Sequence, residues 1–420
     1  MKIAVIGGGI SGLSIARMLQ KENDVVVYEK ESRPGGLIKC SIVEGSLYHQ
    51  TGGHVFNTKR QDVWDWFDKL FDREKEFKKA LRNSVVAMPD QKMIPYPIEN
   101  HVYMFEESIV KQFIYDLLNM VKVGQGVPAN FEEFLRNQFG ETLYRLYFQP
   151  YNRKVWHREL TQIPLSWLEG KLPMPTVEEM IYNNMNHVEE RDFVHSSFFY
   201  PLQGGSQFLA DRLAEGLNVV YGTCVSTLQR TRQKKWLVNG ESFDCVIFCG
   251  NLKQLPTLLT ESGNLIQAYE KEIESLESHG TTSVFCEIDK NDYSWIYMPD
   301  DKYEAHRIIC TGNFSENNNA IGKMTGTVEF TDYISKEDIL SNLQRIPYHP
   351  KYLAHHYEQY TYPIQNSATR AMISELKKDL RKDNMFLLGR FAEWEYYNMD
   401  VAIGAALDLN KLLQYDEVVL

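Results

Sequence analysis

Three glycines, Gly7, Gly9 and Gly12, stand in G-x-G-x-x-G spacing between two apolar runs, IAVI (3–6) and VVVY (25–28), and the second run leads straight into Glu29. That order has chemical meaning. The first glycine permits a tight turn, the second lets backbone approach a pyrophosphate, and the third lets a helix pack against a strand. A helix starting near Ser11 then aims its N–H groups and positive dipole end at an anion. Glu29 can accept hydrogen bonds from ribose hydroxyls. Together they predict a dinucleotide site. Gly35 and Gly36, in RPGGLIKC (33–40), offer a second close backbone approach, with Arg33 nearby as a phosphate-neutralising charge. A simple NAD unit does not need this second pair.

Buried parallel strands read as continuous apolar runs, and both IAVI and VVVY do so. WLVNGESFDCVIFCG (236–250) reads as strand, Asn-Gly hairpin and buried strand. NMFLLGRF (384–391) reads as a strand running into Gly389 and Arg390. Between 105 and 160 the pattern is helical. Ile109, Phe113, Leu117 and Val121 are placed on one helix face, Asn130 is the expected N-cap of the next helix, and Gly140 its expected stop. From about 280 to 364, short β-type runs alternate with turns and predict an antiparallel sheet. The expected fold is α/β: a discontinuous Rossmann-type dinucleotide-binding domain with a helical domain and an antiparallel β-sheet domain. Its parts are expected at 1–95, 191–265 and 376–420 (dinucleotide-binding, an FAD-binding domain by the resemblance given below), 96–190 (helical) and 266–375 (antiparallel sheet, the substrate domain by the same resemblance).

The chain has 420 residues and a net charge of −11, which argues against a nucleic-acid partner because phosphate-binding surfaces need a basic excess. No apolar run is long enough to span a bilayer, and MKIAVIGGG reads as a first strand, not a signal peptide. The six cysteines show no C-x-x-C pair and no metal-ligand spacing, so they are read as reduced, mostly core residues with no metal site. A cytoplasmic location fits. QDVWDWFDKLF (61–71) and the 105–121 helix carry enough apolar surface for a possible homodimer, and core packing explains them equally well.

RPGG and LLGRF resemble segments of the FAD family that includes amine oxidases, protoporphyrinogen oxidases and UDP-galactopyranose mutases. The likeness sharpens along the chain. YHQTGGHVFNT (48–58), YNRKVWHREL (151–160), AHRIICTGNF (305–314), YTYPI (360–364) and LLGRFAEWEYYNMDVAIGAAL (387–407) resemble mutase segments in order, the last most closely. The resemblance implies an isomerase that interconverts the pyranose and furanose forms of a UDP-sugar, UDP-galactose or a close analogue. Reduced FAD is its cofactor, the flavin N5 its nucleophile, a nucleotide sugar its partner, and cell-surface polysaccharide biosynthesis its usual setting.

By the same resemblance, His54, Arg307, Tyr362 and Tyr397 are catalytic, and Arg307, Tyr362 and Tyr397 hold the diphosphate. Tyr151 and Trp156 contact nucleotide and sugar. The implied cofactor residues are Gly7, Gly9, Ser11, Gly12, Glu29, Lys30, Gly35, Gly36, Val225, Gly389, Arg390 and Met399. Two departures stand out. Pro175, in KLPMPTVEEM (171–180), occupies the place of a second diphosphate arginine, which leaves Lys171 as the nearest cation. A lysine is a point charge and not a bidentate fork. Asn57 replaces a histidine in FNT. The other readings are an FAD-dependent oxidoreductase of the amine oxidase or protoporphyrinogen oxidase type, and a flavoprotein without turnover.

Overall fold

Five short strands from widely separated stretches pair in parallel, in the order Met385–Leu387, Cys245–Phe248, Lys2–Ile6, Asp24–Tyr28, Asn218–Val220. This is a computed structural model, and it describes residues 1–124, 126–163, 165, 174–189, 197–259 and 265–416. Ile3, Ala4, Val5, Val246 and Ile247 are wholly buried, as continuous apolar runs require when both faces of a sheet are covered. The Ile10–Leu19 helix lies on one face beside the Met399–Asp416 helix. On the other, Ile373, Leu376 and Leu380 of the Ser367–Arg381 helix pack with Trp236, Phe248 and Trp394. That helix runs across the boundary expected at 375/376, because its apolar face belongs to the nucleotide-binding core.

The second large sheet has seven strands, in the order Lys351–Ile364, Glu277–Glu287, Thr325–Thr331, Arg307–Ile309, Trp295–Tyr297, Ser84–Ala87, Met93–Pro95. Its pairings are antiparallel except one: Trp295–Tyr297 runs parallel to Ser84–Ala87. Residues 84–95, expected with the first FAD-binding part, therefore extend this sheet. The register sets Arg307 opposite Glu329 and Tyr297, and Tyr362 opposite His279.

Helices Glu107–Val123, Phe131–Leu143, Gln149–Trp156 and Val177–Asn186 form the helical region. Phe113 and Leu117 are buried, but Val121 is 65% exposed. Each four-residue step overshoots a full turn by about 40°, so three steps carry Val121 about 120° from Ile109. Asn130 caps the second helix by accepting from the Glu133 N–H at 3.0 Å. Gly140 does not end it. With φ at +79° it kinks the helix where a Cβ would lie 2.7 Å from the Asp116 Cβ. Val63, Phe67 and Phe71 of the 61–71 segment are buried, with the Phe56, Phe67 and Phe71 rings stacked in sequence, so that stretch is core.

Among the described residues no helix is long and apolar enough to cross a membrane, and no group of His, Cys, Asp or Glu could hold a metal ion. All six cysteines are free thiols; Cys224 is exposed, outside the core expected for most of them.

Candidate active site

The glycine turn is built as its spacing requires. The Gly7 N–H donates to the Tyr28 carbonyl at 2.8 Å, and Gly7 has φ +110°. A Cβ on Gly12 would lie 2.0 Å from the Gly7 carbonyl oxygen. Gly9 pairs with Gly35 as an isolated parallel bridge, and a Cβ on Gly36 would fill the gap to the Gly9 Cα, 3.3 Å away. Gly9 and Gly36 thus meet backbone to backbone in a cradle, while a Cβ on Gly35 would point at the Lys39 and Gln207 side chains. Glu29 is buried at the end of its strand, where its carboxylate accepts from the Gly8 N–H at 2.7 Å and the Glu31 N–H at 2.9 Å. Lys30 beside it is exposed, Val225 is buried, and Arg33 turns to the Ser41 hydroxyl.

Ser11 and Gly389 meet across the cradle, where a Gly389 Cβ would come within 2.7 Å of the Ser11 Oγ. Arg390 is fixed by carbonyls: Nε donates to Tyr397 at 3.0 Å, Nη1 to Thr361 at 2.9 Å, and Nη2 to Tyr397 as well. The Met399 side chain is buried with Leu13 and Ile403, so what Met399 offers is the first turn of the 399–416 helix. A backbone cradle, a carboxylate for ribose and a second glycine pair opposite the first fit a dinucleotide as large as FAD.

Beside this cradle the seven-stranded sheet carries a charged cluster. The Arg307 Nη2 donates to the Tyr362 hydroxyl at 3.1 Å, and its Nε donates to Glu329. Glu329 is 1% exposed. Burial opposes its ionisation, but Arg307 and then His306 outweigh that and bring its carboxyl down to about 2. The His306 Nε2 stands 3.5 Å from Glu329, while its Nδ1 is buried with no partner among the described residues. Burial pushes the Tyr362 hydroxyl up to about 12, so it stays a donor at every working pH. The Tyr362 ring stacks on Tyr396, with centroids 5.5 Å apart and planes within 7°. The Arg390 guanidinium lies over that Tyr396 ring at 4.6 Å. Arg390 and Arg307 are therefore joined through two tyrosines.

His54 is half-buried on the TGGH loop. Its Nε2 is 3.0 Å from the Leu37 carbonyl, so that nitrogen carries the proton. Burial, with His49 and Arg390 nearby, lowers it to about 3 and keeps it neutral. The Tyr151 ring meets Tyr297 edge-on at 5.6 Å, and Arg307 and Tyr362 are among the groups acting on its hydroxyl. Trp156 is buried edge-on to His279 at 6.0 Å.

Residues 5–70 match a family model described as an NAD(P)-binding Rossmann-like domain. The chain is 22% identical to the UDP-galactopyranose mutase of Mycoplasma genitalium, over 96% of this chain and 92% of that one. It is 23% identical to the dTDP-fucopyranose mutase of Escherichia coli, over 98% of both. The fold superposes on a crystal structure of a reduced UDP-galactopyranose mutase with a TM-score of 0.84 at 21% identity, covering 100% of this chain and 93% of that one. The chain is thus similar to these mutases over its whole length. A putative protoporphyrinogen oxidase from an Exiguobacterium species shares the fold more distantly, with a TM-score of 0.76 at 14% identity over 99% of both chains.

Against that mutase-like frame, one expected residue falls elsewhere. Tyr397 lends only its carbonyl to Arg390; its side chain lines an outer cavity with Gln365, Lys377 and Asp408. Tyr396 takes the place beside Tyr362. Residues 395–398 belong to no helix or strand, and the two neighbouring side chains meet different surroundings. Lys171 lies outside the described residues. Pro175 gives its carbonyl to the Gln138 amide at 2.6 Å, just ahead of the Thr176 cap of the next helix. Sequence reasoning also missed Glu329 and His306. The signal was an acid in the middle of TVEFT, a strand whose every residue is buried.

Proposed function

We propose that this chain is a flavin-dependent mutase that interconverts the pyranose and furanose forms of a nucleoside-diphosphate sugar, with UDP-galactose or a close UDP- or dTDP-linked analogue as substrate. The observation that carries the reading is the Arg307–Tyr362–Tyr396 cluster, held by buried Glu329 and placed directly beside the dinucleotide cradle. FAD held in the cradle and reduced would supply a nucleophile for the anomeric carbon, a chemistry in which isomerisation needs no net oxidation.

The chain's own residues then have clear tasks. When the bond from anomeric carbon to diphosphate breaks, negative charge grows on the leaving oxygen. Arg307 and the Tyr362 hydroxyl are positioned to meet that charge, which is the kind of preorganised stabilisation that lowers barriers most. Glu329 fixes the guanidinium, so no reorganisation is needed during the reaction. His54, neutral and bonded to the Leu37 carbonyl, ties its loop to the second glycine pair. Arg390 is already committed to two carbonyls and braces the Tyr396 ring.

An oxidoreductase of the amine oxidase type would call for an uncharged aromatic wall here. A half-buried arginine with a hydroxyl donor is instead suited to a phosphate. The test is ligand binding to flavin-loaded protein: UDP should perturb the flavin absorbance and bind far more tightly than phosphate. UDP binding no tighter than phosphate sinks the reading.

A further inference from the structure

Next to the second glycine pair runs a buried polar chain that the proposed function leaves unused. His49 is wholly buried, and burial lowers it to about 4, so its ring is neutral and carries one proton. The Ser206 hydroxyl donates its one hydrogen to the Ile38 carbonyl at 2.8 Å, so towards His49 Nδ1, 3.3 Å away, it accepts. On the other side of the ring, the Asn318 amide nitrogen donates to the Thr311 carbonyl at 2.8 Å and to the Tyr200 hydroxyl at 3.0 Å. The Tyr200 hydrogen is left for His49 Nε2, at 2.6 Å. The direction of every bond is thereby set: Asn318 to Tyr200, Tyr200 to His49, His49 to Ser206, Ser206 to Ile38. The Cys40 thiol sits beside the ring, 3.6 Å from Nδ1, and burial keeps it protonated. Cys40 is 4% exposed and His49 0%, so no substrate reaches this Cys-His pair.

The chain ends on the loop that meets Gly9 across the cradle. Ile38 closes the Gly36–Ile38 turn, and Gly36 is the residue that stands against Gly9. Gln207, next to Ser206, grips the same loop at two points. Its amide nitrogen donates to the Pro34 carbonyl at 3.1 Å, and its oxygen accepts from the Cys40 N–H at 3.3 Å. His54 holds the Leu37 carbonyl between them. Gly205 leaves space for the arrangement: at φ +58°, a Cβ there would lie 3.0 Å from the Tyr200 Oη and 3.1 Å from the Cys40 Sγ. Residues 34–40 are thus set by side chains from outside the loop, and the Ser206 bond to Ile38 depends on the donor that His49 turns towards it. A buried network in which each member is satisfied fixes a single arrangement.

We propose that His49 is a positioning residue for the cofactor: by donating to Ser206 it fixes the Ile38 carbonyl, and with it the Gly35–Gly36 side of the dinucleotide cradle. The inference rests on the proposed flavin reading. A neutral imidazole suits the task because it offers one acceptor to Tyr200 and one donor to Ser206. An apolar side chain of similar size leaves both hydroxyls without those partners, and the loop then loses the single position that FAD would meet.

The experiment dilutes flavin-loaded protein in steps and reads the released FAD by its fluorescence, giving a Kd for each variant beside its melting temperature. His49→Leu should hold FAD about tenfold more weakly than wild type or worse, the scale of buried groups left unpaired. His49→Gln, whose amide again offers one acceptor and one donor, should stay within about threefold. A folded His49→Leu protein that holds FAD as tightly as wild type, whatever its melting temperature, overturns the inference and leaves His49 a core residue. His49→Gln as weak as His49→Leu overturns it too, because lost shape and not lost hydrogen bonds would then be at work. If His49→Leu does not fold, Tyr200→Phe decides: it keeps the ring that packs on Phe314 and removes the donor to His49. It should weaken FAD about fivefold, the scale of one hydrogen bond, and an unchanged Kd overturns the inference. Wild-type protein that retains no FAD refutes the flavin reading itself, independently of His49.

Discussion

The Arg307 guanidinium donates to the Tyr362 hydroxyl across 3.1 Å while Glu329, on the neighbouring strand, holds its other edge. One arginine is thus fixed from two sides with no room to swing. Replacing it by alanine should weaken UDP binding about 10- to 100-fold, the scale of one charged hydrogen bond at ~1.5–3 kcal/mol. Arg307→Lys should recover little of this, because an ammonium cannot serve Glu329 and a phosphate with one planar fork. Calorimetric titration with UDP checks both.

Tyr396 and Tyr397 are neighbours in sequence with different surroundings. Tyr396→Phe should lower kcat/KM about fivefold, the scale of one hydrogen bond at ~1 kcal/mol. Tyr397→Phe should leave kcat/KM within twofold, because only its backbone carbonyl reaches Arg390. The reverse ranking would place Tyr397 in the clamp.

Glu329 links the site to acid stability. Its carboxyl lies lowered in the folded protein, to about 2 from an ordinary 4.5. A depressed folded value means the stabilisation is complete above about 4.5 and lost as pH falls towards 2. Glu329→Gln should therefore flatten the loss of stability across that window in urea titrations. At neutral pH it should be less stable by about 1–3 kcal/mol, since half-buried Arg307 then lacks its counter-charge. An unaltered pH profile would mean the carboxylate is not paired.

The two kinds of glycine should separate on substitution. Gly36→Ala puts a methyl group into the cradle, 3.3 Å from the Gly9 Cα, at φ +54°. It should fold and purify with little or no flavin, seen as lost absorbance near 450 nm (about the usual flavin maximum). Gly12→Ala would set a methyl 2.0 Å from the Gly7 carbonyl oxygen, so it should fail to fold or melt far lower.

The dinucleotide turn was legible in the sequence because its physics is local: strand, glycines and helix follow one another within thirty or so residues. The antiparallel sheet was legible from its alternating runs. Strand Ser84–Ala87 was not, since its partner Trp295–Tyr297 lies far along the chain and parallel pairing leaves no hairpin signal; Met93–Pro95 joins the sheet only as its antiparallel neighbour. At the site, Arg307 and Tyr362 were readable from motif likeness. Tyr396 was confused with Tyr397 because the doublet gives no hint of which side chain turns inward.

The most direct measurement is turnover under anaerobic conditions. Flavin-loaded protein is reduced with dithionite and given UDP-galactofuranose, and in parallel dTDP-fucofuranose, with products separated by chromatography. Conversion of one of them to its pyranose form by reduced protein, and none by oxidised protein, is the predicted result. No conversion of either by protein that carries reduced flavin and binds the nucleotide would contradict the mutase account.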